Sequence, residues 1–274
     1  MHTASTNILD KKYSKLLLQI SLSEISFCIV DTLTDKIETF GDLPLDQSAN
    51  FVEIENKIID FIKNTAVLQS NFDNVVVLYN NNLNTFVPQV LFDEAYLGSY
   101  LQYNVKVFEN DFIAYDEIAN YEMNNVYIPY ANINNALMDI YGNFNYKHSY
   151  SILVKKLLDL SKNIDETQAF VHCQKDNFQL IVIKNQKLLL FNSFDFKSKE
   201  DFIYYLLFTF EQLQLNPETL PLKLFGSISK EHDIYQIAYK YIRNVSLFID
   251  HNDLEQKITQ QNYLQHFILI HGCE

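Results

Sequence analysis

The chain has 274 residues, with 21 Lys and Arg against 34 Asp and Glu, a formal net charge of −13 that opposes non-specific binding to nucleic acid or anionic lipid. A hydrophobic content of 48%, with 18 Tyr and 21 Phe, excludes a disordered tail. Only five Gly leave little scope for the Gly-rich loops that cradle phosphates.

The opening MHTASTNILDKKYSK has no apolar core of signal-peptide length, and residues 1–14 read as a flexible N-terminus. No apolar run approaches the length of a membrane span, so a cytoplasmic protein is expected. Cys28, Cys173 and Cys273 lack metal-type spacing and are expected as reduced thiols. Residues 15–40 read as three strands, with turns at Ser23-Glu24 and Thr34-Asp35. A helix follows, with Ser48 placed to cap it and Phe51, Ile54, Ile58, Phe61 and Ile62 on one face. The strand VVVLY (75–79), a helical stretch ending in SYLQY, the strand NVKVFEN (104–110) and the strand NVYIPY (125–130) complete this part.

ANINNALMDIYG (131–142) and HSYSILVKKLLDLSKN (148–163) show helical periodicity and form a connector over residues 131–165. Lys147, His148, Lys155 and Lys156 are the best basic patch, and a solvated helix face explains them as well.

Beyond residue 165 the order repeats. QAFVHCQKDNFQLIVIKNQKLLLF (168–191) has the layout of 15–40, and an offset of 151 (178 − 27) superposes Phe27 on Phe178, Ile20 on Val171 and Lys36 on Lys187. The same offset places Phe51 on Phe202 in a helix preceded by Ser198. LKLFG (222–226), a helix ending in AYKYI, the strand NVSLFID (244–250) and the strand HFILIH (266–271) answer the first half. NVSLFID against NVKVFEN is the closest local match. The chain is thus read as an internal duplication: lobe one over 15–130 and lobe two over 166–274, each a mixed five-strand sheet flanked by helices.

This duplicated α/β unit resembles the actin-like ATPase fold, two RNase H-like lobes around a nucleotide cleft. TFVPQVLF (85–92), LLLFNSFDFKSKEDFIYYLL (188–207) and LKLFGSISK (222–230) are similar to an uncharacterised bacterial family that carries this fold without an assigned activity. The resemblance implies an Asp-x-Gly phosphate turn between the first two strands of each lobe. This chain has Gln19 and Ser21 at those positions in lobe one, and the offset of 151 gives Phe170 and His172 in lobe two. The Gly-rich adenosine turn of the family is reduced to Gly226-Ser227, which a sharp strand-to-helix turn explains equally.

No catalytic set and no metal centre emerge from the remaining residues. The seven His lack H-x-x-x-H spacing, and adjacent His172 and Cys173 point to opposite faces of a strand. Glu24, Asp31 and Asp176 are the acids that a displaced site would use; solvated turns account for Glu24 and Asp176 too. Asn192-Ser193, read as the end of a strand before a helix, are candidates for binding a cleft ligand or for capping the loop. In DFIYYLLFTFEQL, Tyr204, Tyr205 and Phe208 add a second apolar face, the candidate interface with a partner or second copy. The expectation is a non-catalytic binding or scaffold protein of unknown function, a pseudo-ATPase without cofactor, bound neither to nucleic acid nor to membrane. An ATPase or phosphotransferase with ATP and magnesium at a reorganised site, and a small-ligand sensor, are the alternatives.

Overall fold

A computed structural model describes residues 13–46, 50–248 and 260–273. It contains two compact units: the chain up to Asn81 with Pro129–Lys147 and Cys273, and Asn82–Ile128 with His148–Gly272. The expected flexible N-terminus lies outside the described residues up to position 12, and Ser14 already begins a strand.

The first unit opens with β1 (Ser14–Ile20), β2 (Glu24–Asp31) and β3 (Lys36–Pro44), which are consecutive antiparallel strands. Leu16 to Leu18 and Ile25 to Val30 are buried, as a strand covered on both faces requires. β4 (Asn74–Tyr79) pairs parallel to β1, and β8 (Asn145–His148) completes the sheet in the order β3-β2-β1-β4-β8. Helix α1 (Phe51–Asn64) buries Ile54, Ile58 and Ile62 and packs against α3 (Ala131–Tyr141). Its cap is Asn50, whose side chain accepts from the Glu53 N–H; Ser48, the expected cap, lies outside the described residues.

The second unit repeats this plan with β9 (Gln168–Cys173), β10 (Asn177–Lys184), β11 (Lys187–Asp195), β12 (Pro221–Gly226) and β13 (Asn244–Leu247), in the order β11-β10-β9-β12-β13. Helix α5 (Lys199–Gln212) starts in a capping box of Ser198 and Asp201. With α6 (Asp233–Tyr241) it covers one face of the sheet, where Phe202, Leu206 and Phe210 meet Val171, Leu180 and Val182. On the opposite face Phe225 and Phe248 meet Phe267 of α8 (Phe267–His271), which follows α7 (Gln260–Gln265). HFILIH, expected as a strand, is therefore helical: a four-residue apolar run has no distinguishing period, and tertiary packing decides its form.

Residues 82–128 correspond to nothing in the second half. β5 (Asn84–Pro88), β7 (Met123–Tyr127) and β6 (Ala114–Ile118) form a separate antiparallel sheet in the order β5-β7-β6, packed on α2 (Leu97–Leu101). NVKVFEN is not a strand: it lies in the turns and extended loop between α2 and β6, so its likeness to β13 is coincidental. The counterpart of β13 is β8, which takes the same edge position. Helix α4 (Ser149–Leu160) joins the second unit and α3 the first, so the two expected connector helices part company. Asp116 of β6 holds the start of α4, accepting from the His148 N–H at 2.7 Å and from the Ser151 hydroxyl. His148 is itself buried and caps α4 by accepting the Tyr150 N–H, so it belongs to no surface patch. Lys155 pairs with Asp159.

Candidate functional site

Strand pairing corrects the superposition of the two halves. Leu18 faces Phe27 and Val171 faces Leu180, so Gln19 corresponds to His172, an offset of 153 (172 − 19). Beyond the second turn the offset becomes 151, since Thr39 pairs with Ile29 as Leu190 pairs with Val182 (190 − 39). The change lies in the turn. Four residues, 32–35, join β2 to β3, where only Asn185 and Gln186 join β10 to β11. Both Asn185 and Gln186 have positive φ, the backbone of a two-residue hairpin turn. The candidate phosphate positions in the second unit are therefore His172 and Gln174, and Phe170 is a buried core residue.

In the first unit, the turn between β1 and β2 is closed by its own serine. The Ser21 hydroxyl accepts from the Ser23 and Glu24 N–H groups at 3.2 and 2.9 Å and donates to the Glu24 carbonyl. These are the kind of donors that a phosphate would need, and a side chain occupies them. The Gln19 side-chain oxygen is shut from solvent without a hydrogen-bond partner. The Glu24 carboxyl is pushed above its ordinary range by burial and by the Asp42 carboxylate, against a hydrogen bond from Ser26. Asp31 is committed to its own turn, accepting from the Leu33 and Thr34 N–H groups.

The equivalent turn of the second unit has only the hairpin bond, the Gln174 N–H donating to the Asn177 carbonyl at 2.9 Å as the Ser21 N–H does to Glu24, with no side chain in the place of the Ser21 hydroxyl. His172 is buried with Nδ1 2.8 Å from the Gln179 side-chain oxygen, and burial lowers its pKa to about 4 although that bond works the other way. It is neutral at physiological pH. Cys173 packs into the α5 side of the sheet while His172 contacts Phe225, so the two do face apart. Asp176 gives its carbonyl to the Phe196 N–H.

Gly226 ends β12 at φ +95°, and a Cβ there would collide with the Cys173 backbone. The Ser227 N–H also bonds the Cys173 carbonyl, and Gly226 has a structural reason to be glycine that involves no ligand. The residues present do not fit a magnesium-bound nucleotide. Neither turn has an Asp-x-Gly pattern, and in the first the Ser21 hydroxyl occupies the N–H donors. Among the described residues no group of three or more His, Cys, Asp or Glu gathers as a metal site.

Asn192 and Ser193 lie within β11, two residues before its end, and not in the loop to α5. They line a cleft of about 700 Å³ in the second unit, between β11 and β5. Asn82, Asn84, Thr85 and Asn104 contribute further polar groups, and Phe86 packs edge-on to Phe191 at 4.9 Å. The Asn192 side chain accepts from the Ser193 N–H, and the Ser193 hydroxyl is enclosed without a partner. The part of this site that sequence reasoning missed is β5, because the β5-β7-β6 sheet has no counterpart in the other half.

On α5, Phe202 is in the core and Tyr205 stacks on Phe194 at 5.2 Å, so Tyr205 is not a free surface residue. Tyr204 and Phe208 stack on each other and remain 60% and 47% exposed.

The model of a family described as "Protein of unknown function (DUF3822)" matches residues 3–245. No curated protein matches. A Bacteroides thetaiotaomicron VPI-5482 protein with actin-like ATPase fold and unknown function superposes with a TM-score of 0.82 at 20% identity, covering 96% of this chain and 97% of its own. A chain of the PilM-PilN type IV pilus biogenesis complex superposes at 0.60 with 11% identity, covering 96% and 98%. The ethanolamine utilization protein EutJ from Carboxydothermus hydrogenoformans gives 0.51 at 7% identity, covering 95% and 89%. These likenesses establish the actin-like ATPase fold and, at such identities, nothing of activity.

Proposed function

We propose that this chain, which belongs to the DUF3822 family of proteins of unknown function, is a non-catalytic member of the actin-like fold that acts by binding a protein partner. One observation carries the reading: neither turn keeps the Asp-x-Gly pattern, and in the first the Ser21 hydroxyl takes the N–H donors that a phosphate would need. A phosphate entering the first would have to displace the Ser21 hydroxyl from the Ser23 and Glu24 N–H groups beside a Gln in place of a magnesium-binding Asp. Burying phosphate charge without donors or metal costs several kcal/mol. A binding role needs no cofactor and agrees with a similar fold occurring in the PilM-PilN complex. No described helix is long and apolar enough to cross a membrane, and we place the protein in the cytoplasm.

The test is thermal unfolding with and without millimolar ATP and magnesium. A ligand of the native state present at about 100 times its Kd adds ~2.7 kcal/mol of stability, enough to raise Tm by a few degrees. The reading expects an unchanged Tm. A clear rise would overturn it.

A further inference from the structure

We infer that the cleft between β5 and β11 receives an extended, uncharged peptide segment of a partner protein, which adds as a strand along the β11 edge; this deepens the binding role proposed above. Both walls of the cleft are outer strands of their sheets, β5 of one and β11 of the other. An outer strand presents backbone N–H and C=O groups that no ladder satisfies, and an extended peptide is the ligand that pairs with them.

The duplication supplies an internal control. β3 occupies the same edge of the other sheet, with a register irregularity at the same point, where Glu38 and Leu189 are the unpaired residues. At that point β3 carries Glu38, and four residues later Asp42. β11 carries Leu189 and Ser193 instead (189 − 38 and 193 − 42 both give 151). Charges on an edge strand are a usual defence against unwanted pairing. The first unit keeps them and the second lacks them, leaving Leu188–Phe191 an uninterrupted apolar edge with Leu189 48% exposed.

The lining specifies the ligand further. It contains no Asp, Glu, Lys, Arg or His, although the chain carries a net charge of −13. Its polar groups are amides and hydroxyls that pair with neutral peptide groups. At the edge itself, the Ser193 N–H is bonded by the side chain of its neighbour Asn192, a bond that an incoming carbonyl can replace.

The probe is a phage library of random seven-residue peptides selected on the full chain. Enriched peptides should be uncharged, with apolar residues at alternate positions. Installing the β3 charges through Leu189→Glu with Ser193→Asp should weaken their binding at least tenfold. On the unaltered protein, N-methylation of alternate backbone amides of a selected peptide should abolish binding, an arm that decides even if the double variant unfolds. An empty selection, or peptides that bind the double variant and survive N-methylation, would overturn the proposal. So would a dimer that the double variant converts to monomer, since the occupant would then be a second copy. A nucleotide-induced rise in Tm refutes the non-catalytic reading without altering the peptide result, so the two fail separately.

Discussion

Gly226 lies in strand register with Cys173, and the Cys173 backbone occupies the space where a side chain at 226 would begin. With φ at +95°, position 226 excludes other residues twice over, by torsion and by contact. Gly226→Ala should therefore cost about 3 kcal/mol, read as a lower urea midpoint. A cost below about 1 kcal/mol would mean that this glycine is kept for something other than the close approach.

The Ser21 hydroxyl satisfies two backbone N–H groups of the β1–β2 turn. Ser21→Ala should lose about 1 kcal/mol at an unchanged m value. Hydrogen exchange should then show faster exchange at Ser23 and Glu24 alone.

His172 should make stability depend on acid. Its folded pKa of about 4 lies below the unfolded value of 6.5, so below pH 6.5 the unfolded chain takes up a proton that the folded chain refuses. Stability falls as pH drops from 6.5 to about 4 and levels off below, by up to ~3 kcal/mol at about 1.4 kcal/mol per pKa unit. In His172→Gln that portion of the pH dependence should vanish. Urea titrations at intervals across the window measure it.

The two adjacent tyrosines of α5 should behave differently. Tyr205 stacks on Phe194 and packs on the core, so Tyr205→Glu should destabilise by roughly 2–3 kcal/mol and is a poor probe of an interface. Tyr204→Glu and Phe208→Glu, on exposed side chains, should stay within about 0.5 kcal/mol of the parent. A change of mass in solution in these two variants, with Tm intact, would identify this face as an interface.

Much of this was legible in the sequence where local chemistry is sufficient. The two three-strand openings, the capping of α5 by Ser198 and the periodic faces of α1 and α4 follow from alternation, turn residues and 3.6-residue spacing, which act within a few neighbours. The absence of an Asp-x-Gly turn was likewise plain from residue identities. Tertiary structure alone decided the rest. Two residues fewer in one hairpin turn shift the register by two, which no comparison at a fixed offset detects and which moves the second candidate phosphate position from Phe170 and His172 to His172 and Gln174. NVKVFEN and the β13 segment share a pattern, but a strand exists only where another strand accepts its hydrogen bonds, and the first of these has none. Asn192 and Ser193 could be singled out as a polar pair. That they stand on an edge facing β5 depends on contacts such as Phe86 with Phe191, 105 residues apart along the chain (191 − 86), and such pairings are set by packing and not by local sequence.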